Sequence, residues 1–401
     1  MKIIKAYRYE IKPNIWQRIL LAKHVGAARF AYNWGLKQRI DLYEKDKTST
    51  NAIEQHRLLN CLKAQEFPWM YEVSKCAPQE ALRDLHKAFQ NFYRGLKQGK
   101  KVGFPKFKKK GIHDSFRLTG SIKVNPRSIQ LPRLGEMRLK EDTAVKGKIL
   151  SATVSREADR WFVSITVEEE IETPIPIQGN PIGIDLGLTS FLTTSDGIKI
   201  SPPKPLNKAL KNLKRLSKKH SRKKVGSNNR KKSAFKLARQ HRKVGNQRRD
   251  FLHKLSTSLA KTKPVIIMED LNVKKMMQKK GLSRHIADVG WSGFVCMLEY
   301  KTKWYGSSLK KAPRYFASTK TCSSCGHVEK DLALSVREWT CICGKKHDRD
   351  VNAAVNLLNL HTGSSPGIYA CGEASDGEGQ QPSSYALLKQ EVMNGIFVHK
   401  L

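Results

Sequence analysis

The sequence predicts an α/β protein: a mixed sheet with helices in its second half, a β-rich and helical region before it, and a small cysteine-rich insert near its end. Three observations predict this. From residue 181 the patterns run three strands, helices, strand, helix, strand, helix. Before residue 172, alternating strand patterns flank two helical stretches. Four cysteines cluster between residues 319 and 345, while Cys61, Cys76, Cys296 and Cys371 are scattered.

Taken in order, residues 1–13 alternate as a strand (Tyr7, Tyr9 and Ile11 against Arg8, Glu10 and Lys12) that Pro13 ends. Residues 14–44 carry Trp16, Ile19, Leu20, Ala27, Phe30, Ala31 and Trp34 at helical spacing, and Ala77–Gln98 repeats that period. Lys101–Lys110 is a basic turn holding Phe104 and Phe107, which fit base stacking and core anchoring equally well. Strand patterns return over 127–171, best at Ile149–Ser155 and Trp161–Glu168. Pro174, Pro176 and Pro181 mark a linker and a domain boundary. Residues 181–200 read as a three-stranded meander with a turn at Asp196-Gly197. Residues 204–260 read as two long helices broken at Gly226–Asn229. A buried strand at 264–269, a helix at Trp291–Tyr305, a strand at Leu309–Phe316 and a helix at Asp350–Leu360 follow. Residues 361–401 lack periodicity and read as a mobile tail.

Composition narrows the function. Among 401 residues, 75 Lys and Arg face 35 Asp and Glu, a net charge of +40. A chain that repels itself so strongly calls for a polyanion, and nucleic acid is the first choice. With 39% hydrophobic and 8% aromatic residues it is a folding chain, not a basic tail. An anionic membrane surface is the other option, but the longest apolar runs are short, as at Val265–Met268. The start, Met1-Lys2-Ile3-Ile4-Lys5-Ala6, lacks an apolar signal core, so secretion is not expected.

Three acids stand where strand meets loop or helix. Asp185 lies inside an apolar strand, Glu269 ends Val265–Met268, and Asp350 starts the last helix. A bare carboxylate in an apolar strand must be neutralised, paired or bound to metal. Three converging carboxylates would hold divalent cations, and oxygen-only ligands favour Mg²⁺, which in pairs activates water against a phosphodiester. Singly each acid has a plain alternative: Asp185 bonding a turn, Glu269 as a surface acid, Asp350 as a helix cap.

Here a resemblance enters. Gly183-Ile184-Asp185-Leu186-Gly187, Met268-Glu269-Asp270-Leu271-Asn272 and His347-Asp348-Arg349-Asp350-Val351-Asn352-Ala353-Ala354 resemble the three RuvC motifs of the TnpB proteins, RNA-guided DNA nucleases of insertion sequences. Gly26–Trp34, Gly103–Phe107, Asp250–Leu255 and the cysteine insert share the likeness, which covers about residues 1–360. The resemblance implies an RNase H-like (RuvC) nuclease domain over 181–318 and 346–360, with Asp185, Glu269 and Asp350 as catalytic metal-binding acids around Mg²⁺, two ions being expected. It leaves Asp270 and Asp348 outside the triad. It implies an N-terminal β-barrel-like and helical region over 1–180 that binds guide RNA from the element's end and reads a short motif beside double-stranded target DNA. It also places the chain in the cytoplasm of a prokaryote, beside the nucleoid.

Cys322-Ser323-Ser324-Cys325-Gly326 has zinc-knuckle spacing, and Cys341-Ile342-Cys343-Gly344 follows with a spacer one residue short. Cys322, Cys325, Cys341 and Cys343 are expected to hold one structural Zn²⁺ in a ribbon over 319–345, with His327 and His347 as substitute ligands. Packed free thiols are the plain alternative. Residues 201–250 hold 19 Lys or Arg and one acid, Asp250. Lys106, Lys108, Lys109, Lys214, Arg215, Lys218, Lys219, Arg222, Arg248 and Arg249 are the expected nucleic-acid contacts. An RNA-guided repressor would be expected to lose the acids, all of which are present here. A strand-transferring transposase stays open, although no tyrosine-recombinase or HUH-type histidine pair is found.

Overall fold

In the computed structural model, which describes residues 1–279, 281–333 and 335–363, strand β1 (Lys2–Lys12) opens the chain. Asn14 then caps α1 (Ile15–Asp46): its Oδ1 accepts from the Gln17 N–H at 2.8 Å, and Gln17 Oε1 accepts from the Asn14 N–H at 3.0 Å. Helices α2 (Ala52–Leu62) and α3 (Cys76–Lys97) follow. The pair α1 and α3 packs so closely that a Cβ on Gly35 would lie 2.6 Å from Leu82 Cδ2. Strands β2 (Ser115–Leu118), β3 (Lys123–Asn125), β4 (Ser128–Leu131), β5 (Gly135–Leu139), β6 (Lys148–Glu157) and β7 (Arg160–Glu170) complete the first unit. Their antiparallel sheet has the order β2-β6-β7-β1-β5-β4-β3. The first strand therefore sits mid-sheet, and the three helices are an excursion from it. Alternate residues Val163, Ile165 and Val167 of β7 are fully buried in the core shared with Leu21, Leu82 and Leu85.

The chain parts into two compact units between Ile171 and Glu172. The second is built on a five-stranded mixed sheet, order β10-β9-β8-β11-β12. Its strands are β8 (Ile182–Leu186), β9 (Leu192–Thr194), β10 (Lys199–Ile200), β11 (Val265–Glu269) and β12 (Ser308–Ala312). β11 runs parallel to β8 and β12, while β9 runs antiparallel to both its neighbours, β8 and β10. The last strand stops short of the expected Phe316 because Pro313 has no N–H to give the ladder. Between strands lie α4 (Pro205–Ser221), α5 (Asn228–Thr262), α6 (Val273–Met276), α7 (Ser283–Val289) and α8 (Trp291–Tyr305). The cysteine-rich insert forms a hairpin of β13 (Glu338–Thr340) and β14 (Lys346–Asp348), and α9 (Arg349–Thr362) follows. One face of the sheet (Ile182, Ile184, Leu186, Ile266, Met268) packs with Leu252 of α5 and Phe294 and Leu298 of α8. The other places Ile267 and Ala312 against Leu357 of α9. The expected mobile tail lies outside the described residues beyond Gly363. Among the described residues, no helix is long and apolar enough to cross a membrane.

Candidate active site and metal centre

Strand periodicity aims two acids the same way. In β8, Ile182, Ile184 and Leu186 face α5 and α8, so Gly183 and Asp185 face α9. In β11, Ile266 and Met268 take the first face, so Ile267 and Glu269 take the second. The parallel register pairs Ile184 with Met268, which makes Asp185 and Glu269 the next residues on adjacent strands, side by side at their C-terminal ends. Helix α9 lies on that face in very close contact: a Cβ on Gly183 would sit 1.9 Å from the Ala354 carbonyl oxygen. Glycine is the one residue that lets the helix approach so far. Asp350 stands in the first turn of α9, where the helix dipole favours an anion.

The three acids feel one another. Burial pushes the Asp185 carboxyl up, and the charges of Glu269 and Asp350 push it further. Arg349 and Arg337 offset part of this, leaving it raised to about 8 from an ordinary 3.8. No hydrogen bond to the Asp185 side chain is found among the described residues. Glu269 accepts from the Ser318 hydroxyl, and Asp350 lies 3.6 Å from Arg337. A buried acid short of positive charge, beside two more carboxylates, fits divalent cations held by oxygen. Among the described residues only the four cysteines bring three or more ligand atoms within 4.8 Å of one another; the three acids do not all come that close.

The neighbouring acids have other tasks. Asp270 pairs with Arg314. Asp348 caps α9, accepting from the N–H groups of Asp350 and Val351 at 3.2 and 3.0 Å, and pairs with Lys199 at 2.6 Å.

Cys322, Cys325, Cys341 and Cys343 converge with all four sulfurs within 4.8 Å of one another. Cys322 and Cys343 are 3.8 Å apart, Cys325 and Cys341 3.5 Å. Each knuckle turns on a glycine in the left-handed region, Gly326 (φ 78°) and Gly344 (φ 80°). The shorter second knuckle still closes, with the Gly344 N–H donating to Cys341 O at 2.8 Å. Four sulfurs so placed fit a tetrahedral Zn²⁺. His347 Nε2 lies 3.0 Å from Cys322 Sγ, with its ring against Trp339, while His327 accepts from the Cys322 N–H through its backbone. The four thiols gather without either histidine as a substitute.

Sequence reasoning missed what joins the two centres. Asn352 accepts from the Ser323 N–H at 2.9 Å and donates to Thr321 O at 2.7 Å. Asn356 donates to Ser318 O at 2.8 Å and Thr321 O at 2.6 Å. Arg349 donates to Ala333 O at 2.7 Å. The helix that carries Asp350 is thereby fastened to the first cysteine knuckle, and Ser318 in turn bonds Glu269. The amide pair at helical spacing, Asn352 and Asn356, was the available signal.

The expected nucleic-acid contacts divide. Lys214, Arg215, Lys218, Lys219 and Arg222 are exposed along α4 and its end. Arg248 is instead an internal brace: it donates to Asp288 O at 2.7 Å and Asp288 Oδ1 at 3.0 Å, and the buried Asp288 also accepts from the N–H groups of Leu206 and Asn207 at the start of α4. Arg249 is half-buried. Lys106 and Lys109 are exposed. Lys108 is held by Asn33 through its backbone at 2.7 and 3.0 Å, with its ammonium over the Tyr32 ring at 4.2 Å. Phe104 meets Phe89 and Phe92 edge-on at 5.4 and 5.5 Å, which ties the turn to α3 while leaving the ring 46% exposed; Phe107 is 49% exposed.

These features define a class: an α/β chain with a carboxylate site, a four-cysteine centre and a basic surface. Family models described as "Probable transposase", "Cas12f1-like, TNB domain" and "Helix-turn-helix domain" match residues 164–280, 291–357 and 1–48. The third description departs from the structure, in which residues 2–46 are one strand and one long helix. A Streptomyces pristinaespiralis protein named "Putative RNA-guided DNA endonuclease" is 36% identical over 379 residues, covering 93% of this chain and 92% of that one. InsQ of Escherichia coli K12, similarly named, is 33% identical over 392 residues, covering 93% and 95%. The chain belongs to this TnpB family. In fold it is similar to the protein of a Cas12f1–sgRNA–target DNA complex, at a TM-score of 0.55 and 14% identity, covering 90% of this chain and 99% of that one.

Proposed function

We propose that this chain is an RNA-guided DNA endonuclease of an insertion sequence, and that its second unit is a RuvC-like nuclease hydrolysing phosphodiester bonds next to a short flanking motif. The observation that carries this is that Asp185, beside Glu269 on adjacent strands, is raised to about 8 by burial and by the charges of Glu269 and Asp350. Family membership supports the guided reading, as relatives of nearly full overlap are named for it.

Bound Mg²⁺, as two ions, would supply an activated water and neutralise charge on the leaving 3′ oxygen. Asp185, protonated below about pH 8 by burial and its two acidic neighbours, would have to lose that proton to serve as a cation ligand, so binding would be favoured at higher pH. Ser318 orients Glu269 from behind, and Asp348 fixes the first turn of α9 and with it Asp350. One Zn²⁺ on Cys322, Cys325, Cys341 and Cys343 would hold the ribbon that Asn352 and Asn356 grip. The seven-stranded sheet with its helices, including Lys106, Lys108 and Lys109, serves as the barrel-like RNA- and DNA-binding region. Lys214, Arg215, Lys218, Lys219, Arg222 and Arg249 meet backbone phosphates.

The test is co-expression with RNA from the element's end, followed by incubation with Mg²⁺ and a plasmid library of flanking motifs. Double-strand breaks beside one motif are expected, and none from Asp185→Ala. Cleavage surviving that substitution overturns the site. Binding without cleavage by the unmutated chain favours a repressor.

A further inference from the structure

The segment Asp250–Leu255, which shares the family likeness, takes no part in the acid site or the cysteine centre. Four of its six residues nevertheless line one open groove of about 560 Å³, where the start of α4 meets α5. Pro203, Phe251 and Leu255 form an apolar floor. Lys208 of α4 and Gln247, Asp250 and Lys254 of α5 form the rim.

Charge and shape together select the occupant. An apolar floor under a polar rim suits a flat heterocycle, and lysines at the edge suit the phosphates on either side of it. The field around the groove is strongly basic, with 19 Lys or Arg over residues 201–250. The one acid of that stretch, Asp250, stands on this rim, where Lys254 holds it at 2.9 Å. A path for phosphate alone gains nothing from a carboxylate. A carboxylate is useful where a donor must be received, and the ribose 2′-hydroxyl is a donor that DNA lacks.

We propose that this groove seats one unpaired nucleotide of RNA. The base lies against Pro203, Phe251 and Leu255, Lys208 and Lys254 meet the flanking phosphates, and Asp250 accepts from the 2′-hydroxyl. The proposal rests on the guide-RNA reading above.

Bare electrostatics and this site give opposite signs for Asp250→Ala. Removing an acid from a basic surface should tighten RNA binding, whereas losing the acceptor should weaken it. Asp250 has 62% of its side chain exposed, so the substitution leaves the core intact. The whole chain is titrated with its element's RNA at fixed salt. Asp250→Ala is expected to bind about tenfold more weakly, with no such loss for DNA of the same sequence. In parallel, 4-thiouridine placed along the RNA should crosslink from one unpaired position to the peptide spanning residues 247–258. Unchanged or tighter binding by Asp250→Ala overturns the proposal, as does crosslinking of DNA to that peptide instead. If the unmutated chain retains RNA at full affinity without the crosslink, this site alone falls. If it retains no RNA, the guide-RNA reading falls and takes the site with it.

Discussion

Replacing Asp185 by Asn should stabilise the metal-free protein and remove its response to magnesium. The reasoning is electrostatic linkage. The Asp185 carboxyl is raised from 3.8 to about 8 in the fold, by burial first and then by Glu269 and Asp350. Because the folded value lies above the unfolded one, the unfolded chain has already released this proton between pH 4 and 8. Stability from this group is therefore fully present below pH 4 and falls as pH rises through that window. At pH 7, keeping the proton on Asp185 costs about 4 kcal/mol, a cost that a neutral amide of the same shape avoids. For a unit of this size that corresponds to roughly 10 °C in Tm. The assay is thermal unfolding of both proteins in EDTA from pH 4 to 8, repeated with Mg²⁺. The difference should be near zero at pH 4, grow to roughly 10 °C by pH 8, and shrink with Mg²⁺ as the unmutated protein alone gains stability. A difference that ignores pH, or equal stabilisation of both proteins by Mg²⁺, refutes the reasoning.

Three further outcomes follow from the same geometry. Gly183→Ala places a methyl 1.9 Å from the Ala354 carbonyl oxygen; it should destabilise by about 1–3 kcal/mol and, by displacing α9 and Asp350, lower single-turnover cleavage roughly 100-fold. Asn356→Ala removes two bonds, to Ser318 O and Thr321 O, in the segment leading into the first knuckle; it should hasten zinc release to a chromogenic chelator and cost about 1–3 kcal/mol in denaturant unfolding. Replacing Lys214, Lys218 and Lys219 together by Ala should weaken RNA binding whatever its sequence and flatten the slope of log K against log salt by about 2–3.

Much of the second unit was legible in the sequence because its signals are local. Ile182–Leu186 and Val265–Glu269 are apolar runs with an acid near the end, and the knuckle spacing of Cys322 and Cys325 advertises a metal. The edges of elements followed their punctuation: Asn14 starts α1, and Gly226 with Ser227 separates α4 from α5. What stayed hidden depends on contacts distant in sequence. α2, at eleven residues, is too short to stand out, although Asn51 and Glu54 box its start. Arg248 looked like its basic neighbours until Asp288, forty residues on, was seen to hold it. Arg337 and Ser318 sit in irregular segments, where no period announces that they meet Asp350 and Glu269. Phe104 became readable only when Phe89 and Phe92 were found against it. Charge counts locate a basic region but do not separate residues that face solvent from those that brace a fold.

Anomalous diffraction from crystals of the intact chain soaked in Mn²⁺ bears most directly on the carboxylate site. Manganese density between Asp185, Glu269 and Asp350, with each of the three ligating at least one ion, is expected, and no such density in Asp185→Asn. Manganese elsewhere in a protein that cleaves DNA, with those three side chains unligated, would contradict this assignment.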